Sequence, residues 1–199
     1  MPSIKNIGIV ILAAGSSTRL GKPKQLLSYD DKNLLQQTVD AAVYSNANSV
    51  IVVLGASADL ISKEIVKMNA HIIENKEWEE GMASSVRIGL NALQKISPLT
   101  EAVIFMVCDQ PYVSSSLLND LIHTQKETGK PIVTCNYGEA IGPPALFHKS
   151  LFNELMQLKG DAGARKIIQQ HSDEVATILF TKGKIDIDTN EDYEALKNS

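Results

Sequence analysis

A short segment near the N-terminus combines glycines, small residues and cationic side chains. It begins at Ala13, contains Gly15 and Gly21, and has positive charges at Arg19 and Lys24. Small residues let a backbone approach a ligand closely, and consecutive backbone N–H groups in such a loop can cradle phosphate oxygens. Because two cations lie within one loop length, the chemistry that this segment predicts is the binding of a triphosphate.

Neither of the two common glycine-rich phosphate motifs describes this segment. A P-loop has four residues between its glycines, followed by Lys and then Ser or Thr. Here five residues separate Gly15 from Gly21, and Pro23 follows Lys22. The G-x-G-x-x-G fingerprint of dinucleotide-binding folds is also missing. A plain Gly/Ser turn with solvated cations is the alternative interpretation.

Carboxylates stand at two further places where a metal ion could bind. Asp109 directly follows Cys108 at the end of an apolar run, and Asp186 and Asp188 alternate late in the chain. Mg²⁺ is commonly held by one or two carboxylates together with substrate phosphates, so Asp109 is the best candidate ligand. The alternative is that these aspartates cap a turn or a helix.

A polar stretch with Trp78, Gly81, Ser84 and Ser85 precedes a run with helical spacing. A helix N-terminus with free N–H groups and serine hydroxyls suits a phosphate, a ribose or a base edge. Simple helix capping explains the same residues. Trp78 is the only tryptophan, and its pattern fits a lid residue and a packing residue equally.

The elements that would position these residues alternate along the chain. Apolar runs predict strands at 7–12, 49–54, 71–74, 102–107, 131–136, 145–147 and 176–180. Helical spacing appears at 35–42, 59–67, 86–93, 117–122 and 163–171, and Thr189 with Asp192 predicts a capped last helix. Continuous apolar strands between helices predict a mostly parallel sheet covered on both faces. In such sheets ligands bind at the carboxyl ends of the strands.

Size and charge exclude several classes of protein. The 199 residues, 44% of them hydrophobic, fit one α/β domain over 1–199. A net charge of −4 argues against nucleic acid or an anionic membrane as the partner. With no apolar run long enough for a membrane span and no signal-peptide cleavage pattern, we expect a cytoplasmic protein. Cys108 and Cys135 fit buried small hydrophobes.

The chain resembles the molybdenum cofactor cytidylyltransferases in its first loop, which reads Leu12-Ala13-Ala14-Gly15-x-Ser17-x-Arg19-Leu20-Gly21-x-x-Lys24-x-Leu26-Leu27. The resemblance extends to Asp109-Gln110-Pro111, to Asp186-Ile187-Asp188-Thr189 and to the block from Asn75 to Arg87. It implies a Rossmann-like three-layer α/β/α nucleotidyltransferase fold. Leu-Ala-Ala-Gly is similar to the branch that uses CTP, whereas Leu-Ala-Gly-Gly is typical of the branch that uses GTP.

The resemblance also implies roles for individual residues. Arg19, Lys24 and Asp109 would be catalytic, and Asp109 and Asp188 would hold Mg²⁺. The residues implied to bind the nucleotide are Leu12, Ala13, Ala14, Gly15, Ser16, Ser17, Arg19, Lys24, Gly81, Ser84, Ser85 and Asp109. The reaction implied is attack by an acceptor phosphate on the α-phosphorus of CTP, with release of pyrophosphate. The scattered histidines follow no ligand spacing, so we assign no catalytic histidine.

The second substrate is implied by two later elements. Gly142 and Pro144 belong to a Gly-x-Pro-x-x-Phe pattern in which Pro143 replaces a common His, and Asp161 and Arg165 belong to Gly-Asp-x-Gly-Ala-Arg. The resemblance implies that both elements face a phosphorylated small-molecule acceptor, the first candidate being molybdopterin cofactor. The alternatives are GTP use, a sugar-phosphate or methylerythritol-phosphate acceptor, and a non-catalytic chaperone that delivers cofactor to a client molybdoenzyme.

Overall fold

The computed structural model describes residues 4–198. Its strands are β1 (Ile7–Ala13), β2 (Ser28–Tyr29), β3 (Lys32–Asn33), β4 (Ser49–Leu54), β5 (His71–Glu74), β6 (Ala102–Val107), β7 (Ile132–Asn136), β8 (Ile141–His148) and β9 (Val175–Leu179). Seven of them form one sheet in the order β5-β4-β1-β6-β8-β7-β9, and β2 pairs with β3 in a separate hairpin.

The central sheet is parallel except at one strand. β5, β4, β1 and β6 run parallel to one another, and β7 runs parallel to β9. β8 is antiparallel to both of its neighbours, β6 and β7. The four-stranded parallel half therefore brings the carboxyl ends of β1 and β6 side by side, which is where the predicted loop and Asp109 begin.

Helices cover both faces of the sheet. They are α1 (Leu34–Val43), α2 (Ala58–Ile65), α3 (Met82–Ile96), α4 (Ser115–Thr128), α5 (Phe152–Leu155), α6 (Arg165–Gln170) and α7 (Asn190–Lys197). One buried cluster joins α1, α2 and α4 to one face, and a second joins α3, α5 and α6 to the other. None of the described helices has the length and apolar character needed to cross a bilayer.

The sequence of β1 shows why two helical layers form. Ile9 and Ile11 point into the first cluster, whereas Val10 points into the second, because successive strand side chains face opposite sides of the sheet. On the second face α3 lies so close that a Cβ at Gly8 would come within 2.3 Å of the Leu93 side chain. Glycine at that position therefore lets α3 pack directly on the strand that leads into the loop.

The predicted α/β fold with a mostly parallel sheet is confirmed. The strands at 49–54, 71–74 and 102–107 agree with the structure residue for residue. The strand predicted at 145–147 is longer and begins at Ile141, and the helix predicted from residue 163 begins at Arg165. Both cysteines are buried and free, as predicted.

Candidate functional site

The loop after β1 folds into a tight, internally bonded turn. Ser17 has a left-handed backbone conformation, with φ of 54°, and precedes a single 3-10 turn at Thr18–Leu20. The Ser17 hydroxyl accepts a hydrogen bond of 3.0 Å from the backbone N–H of Lys24. This bond holds the backbone of Lys24 against the turn. It therefore fixes the point from which the Lys24 side chain extends.

Gln25 holds the other end of this loop. Its side-chain amide donates hydrogen bonds to the carbonyl oxygens of Ala13 at 2.8 Å and Gly15 at 3.2 Å. The side chain is buried, with 1% of the residue exposed. These bonds tie the start of the loop to the residue that follows Lys24. We did not single out Gln25 from the sequence, and the only signal was an amide beside the Leu26-Leu27 pair.

A compact ionic cluster lies beside the loop. The Lys24 ammonium is 2.6 Å from an Asp109 oxygen and 2.8 Å from an Asp188 oxygen. Arg19 reaches the second Asp188 oxygen at 2.9 Å, but its side chain is 69% exposed. The residues predicted to bind metal and the cations predicted to bind phosphate are therefore in direct contact with each other.

The charges in this cluster shift the pKa values of its members. Burial opposes the charge on Lys24, yet Asp109 and Asp188 outweigh it and hold the pKa of the ammonium above its ordinary value. The hydrogen bond from Lys24 lowers the pKa of the Asp188 carboxyl. The pKa of Asp186 is raised, first by burial and then by the neighbouring Asp109 and Asp188 charges. The Lys24–Asp188 pair is thus charged at neutral pH.

Two features of the chain bring Asp188 to Asp109 although they are far apart in sequence. The backbone N–H of Ile187 donates a hydrogen bond of 2.9 Å to the Asp109 carbonyl oxygen. The Ile187 side chain is buried in a small cluster with Leu20 and Leu27. Immediately after Asp188, Thr189 and Asp192 form the predicted capping box that starts α7. The apolar residue between the two aspartates thus anchors the segment that carries them.

The start of α3 forms a second wall of the site. Gly81 has φ of 114°, a conformation that favours glycine, and a Cβ there would lie 2.4 Å from an Asp161 oxygen. Ser84 is buried and bonds to the Gly81 carbonyl and to the Asn75 amide. These internal bonds satisfy the Ser84 hydroxyl.

These walls enclose a cleft of about 450 Å³, which we call the polar cleft. It is lined by Leu12, Ala13, Ala14, Gly15, Ser16, Lys24, Gln25, Trp78, Glu79, Gly81, Met82, Ser85, Val107, Cys108, Asp109 and Asp161. Nine of the twelve residues predicted to bind the nucleotide are in this set. Ser17, Arg19 and Ser84 are not, because Ser17 and Ser84 bond to the backbone below and Arg19 lies outside on Asp188.

A second pocket of about 290 Å³ adjoins the cleft, and we call it the apolar pocket. It is lined by Leu12, Met82, Phe105, Met106, Val107, Gly142, Pro143, Ala145, Asp161, Gly163, Ala164, Arg165 and Ile168. Three of the four residues predicted to bind the acceptor, Gly142, Asp161 and Arg165, line it, but Pro144 does not. The pocket shares Leu12, Met82, Val107 and Asp161 with the polar cleft.

The chemistry of the polar cleft fits a divalent metal ion. The second oxygen of Asp109 is buried and has no hydrogen-bond partner among the described residues. Hard divalent cations prefer carboxylate oxygens. Within residues 4–198, no three His, Cys, Asp or Glu side chains are grouped as a complete metal site. A metal here would therefore need ligands from a substrate or water, as Mg²⁺ commonly does.

Comparison with known proteins decides the family. The sequence profile of the MobA-like NTP transferase domain matches residues 9–175. This chain belongs to that family. The match includes the loop, Asp109 and both walls of the polar cleft, and it ends before Asp188.

Two curated proteins are similar to this member of the family over most of its length. Purine catabolism protein PucB of Bacillus subtilis (strain 168) is 27% identical over 202 residues, covering 96% of this chain and 95% of that protein. Nicotine blue oxidoreductase of Paenarthrobacter nicotinovorans is 28% identical over 170 residues, covering 81% and 80%. Both matches cover about four fifths or more of each chain, so the likeness is not confined to the loop after β1.

A solved structure shows the same architecture. The crystal structure of Rv0371c from Mycobacterium tuberculosis H37Rv in complex with manganese has a TM-score of 0.80 and is 29% identical. The alignment covers 98% of this chain and 99% of that one. This family member therefore shares its whole described fold with a protein that was crystallised with a divalent metal.

Proposed function

We propose that this family member transfers CMP from CTP to a phosphorylated acceptor, with molybdopterin cofactor as the first candidate, and releases pyrophosphate. The observation that carries the proposal is that Gly15, Lys24 and Asp109 line one cleft at the carboxyl ends of β1 and β6. A loop suited to phosphates, a cation and a candidate metal ligand thus meet where ligands bind in parallel sheets. Family membership supports nucleotidyl transfer in general, and the choice of CTP rests on the Leu12-Ala13-Ala14-Gly15 sequence.

Position and charge are what these residues contribute. The backbone of the loop would hold the β- and γ-phosphates, and Gln25 would keep the loop in place through its hydrogen bonds to the Ala13 and Gly15 carbonyls. Lys24 and Arg19 would neutralise charge on the triphosphate and on the departing pyrophosphate. Electrostatic stabilisation of this kind is often the largest single contribution to catalysis, and fixed orientation of the reactants adds to it.

Asp109 and Asp188 are the residues that would hold Mg²⁺, and Mn²⁺ would suit the same oxygens. Two observations support this assignment: the Asp109 oxygen that has no partner among residues 4–198, and the manganese in the crystal structure of the related Rv0371c. When bound, such an ion supplies a positive charge that polarises phosphate oxygens. Asp188 would be positioned for this by Ile187, which ties its segment to the Asp109 carbonyl.

The acceptor would enter from the apolar pocket, past Asp161 and Arg165, with Gly142 and Pro144 in the adjoining segment. A terminal phosphate is already anionic near neutral pH, so the attacking group needs no strong general base. Among the described residues that line the two pockets there is no histidine. Residues shared by the two pockets would then lie where the two substrates meet.

Pyrophosphate release with each of the four NTPs, with and without molybdopterin cofactor, tests the proposal. We expect release with CTP that depends on the cofactor and on a divalent metal. Release with GTP instead would assign the guanylyl branch, and release only with a sugar phosphate or methylerythritol phosphate would change the acceptor. No pyrophosphate with any pair would contradict transfer and favour a cofactor carrier.

A further inference from the structure

The two carboxylates that contact Lys24, Asp109 of the polar cleft and Asp188 beside it, are already paired with cations of the protein itself. Lys24 donates hydrogen bonds to one oxygen of Asp109 and to one oxygen of Asp188, and Arg19 donates to the other Asp188 oxygen. Only one of the four oxygens, the buried Oδ1 of Asp109, has no partner within residues 4–198. Two negative side chains therefore face two positive ones, so the charges of these four groups balance.

The Lys24 contacts are too close to be shared with a metal ion. Its ammonium lies 2.6 Å and 2.8 Å from the two carboxylates, and only 15% of the side chain is exposed. Mg²⁺ binds oxygens at about 2.0–2.1 Å and gives up its water reluctantly. The oxygens of these aspartates that Lys24 does not hold are the buried Asp109 Oδ1 and the Asp188 oxygen bound to Arg19. An ion on them would lie beside the Lys24 ammonium and be repelled by its charge. Arg19, which is largely exposed, is a weaker obstacle because surface pairs contribute little.

We infer that Lys24 is an internal counterion that keeps free divalent cations off Asp109 and Asp188 until a nucleoside triphosphate draws it away. The inference rests on the proposed function, because the triphosphate is the partner that would take over the Lys24 ammonium. Lys24 lines the polar cleft together with Gly15 and Ser16 of the loop, so its change of partner needs only a movement of the side chain within that cleft.

Two consequences distinguish this arrangement from a preformed metal site. The wild-type protein should bind free metal weakly and bind it more tightly with CTP present. By thermodynamic reciprocity, metal must then strengthen CTP binding by the same factor. Removing the Lys24 charge should make metal binding tighter without nucleotide and should reduce the effect of nucleotide on it.

The test is Mn²⁺ binding, followed by electron paramagnetic resonance and calorimetry, with no reaction running. We compare the wild type with Lys24→Met and with Lys22→Met. The second variant is a matched control, because Lys22 lies over the Tyr193 ring rather than on the carboxylates. Without nucleotide, we expect Lys24→Met to bind Mn²⁺ about tenfold more tightly than the wild type, or about 1.4 kcal/mol, and Lys22→Met to bind it as the wild type does.

Thermal unfolding with and without Mn²⁺ gives a second readout, since a ligand that binds the native state stabilises it more, at a given concentration, the tighter it binds. The Lys24→Met protein should gain more stability from Mn²⁺ than the wild type. Lys24→Gln, which keeps a hydrogen-bond donor and removes the charge, should behave likewise if Lys24→Met does not fold.

The outcomes separate this inference from the proposed function. Equal or weaker Mn²⁺ binding by the folded Lys24 variants would overturn the inference, whatever CTP does. Tight Mn²⁺ binding by the wild type that CTP does not change would overturn it as well. If the Lys24 variants bind Mn²⁺ more tightly but the wild type binds no nucleoside triphosphate, the counterion role stands and the proposed transfer fails.

Discussion

The polar cleft and the apolar pocket share a wall but are built in different ways. In the polar cleft, the Lys24 ammonium lies 2.6 Å from Asp109 and also contacts Asp188, beside the cleft, at 2.8 Å. Gln25 holds the loop by hydrogen bonds to its backbone. The apolar pocket is lined mostly by aliphatic and aromatic side chains and by backbone, with Asp161 and Arg165 as its charged residues among those described.

This difference predicts different responses to substitution. Charges at fixed atoms act on the transition state, so a change in the polar cleft should lower the rate steeply. A pocket defined by shape acts on binding, and the loss of one contact there should change only the KM for its substrate. The two regions can therefore be separated by which kinetic constant moves and by how much.

The largest effect is expected for Asp109→Asn in the polar cleft. The substitution keeps the shape of the side chain but removes the charge that contacts Lys24 and would hold the metal. We expect kcat/KM for CTP, measured by pyrophosphate release, to fall about 1000-fold, or about 4 kcal/mol. Asp120→Asn, on the exposed side of α4, is the control, and a loss below about tenfold would remove Asp109 from the mechanism.

Lys24→Ala should retain the fold and lose about 100-fold in kcat, or about 3 kcal/mol. The reason is the loss of the cation that would face the leaving pyrophosphate. Circular dichroism checks the fold, and steady-state pyrophosphate release measures the loss. Lys22→Ala should keep the wild-type rate, because Lys22 lies outside the polar cleft. Wild-type turnover by Lys24→Ala would show that charge is not what makes the polar cleft differ from the apolar pocket.

Gln25→Leu sharpens the comparison by changing the cleft without changing its charge. Leucine fills the buried space but leaves the Ala13 and Gly15 carbonyls without the donors that now hold them. The bond to Ala13 is buried, and a buried group left unpaired costs about 1–3 kcal/mol, so the loop should hold phosphate less well. We expect the KM for CTP to rise about tenfold, with the KM for the acceptor unchanged. Gln94→Leu, exposed on α3, is the control.

Much of the fold was predictable because continuous apolar runs mark buried parallel strands. The strand at 102–107 and its neighbour β1 place Asp109 beside the loop, as the rule for parallel sheets predicts. β8 was predicted too short because Pro143 and Pro144 interrupt its pattern. The β2–β3 hairpin was not predicted, because strands of two residues are too short to show an alternation of apolar and polar residues.

The site was less predictable where pairing depends on three dimensions. The resemblance implied that Asp188 is a metal ligand. Nothing in the sequence, however, indicates that Lys24 contacts both Asp109 and Asp188 when no ligand is bound. Gln25 was missed because an amide next to a lysine reads as a solvated residue. Ser84 was predicted to face the nucleotide, yet its hydroxyl bonds to Gly81 and Asn75 instead. Local hydrogen bonds of this kind are decided by packing.

The smallest effect is expected in the apolar pocket, for Arg165→Ala. Arg165 is exposed, so a contact with an acceptor phosphate should contribute no more than about 1 kcal/mol. We therefore expect about a fivefold rise in the KM for the acceptor at saturating CTP, with kcat and the KM for CTP unchanged. Lys166→Ala, the next residue and also exposed, tests whether any cation on this surface would do. An equal rise in the KM for CTP would place Arg165 with the nucleotide and remove the division between the two regions.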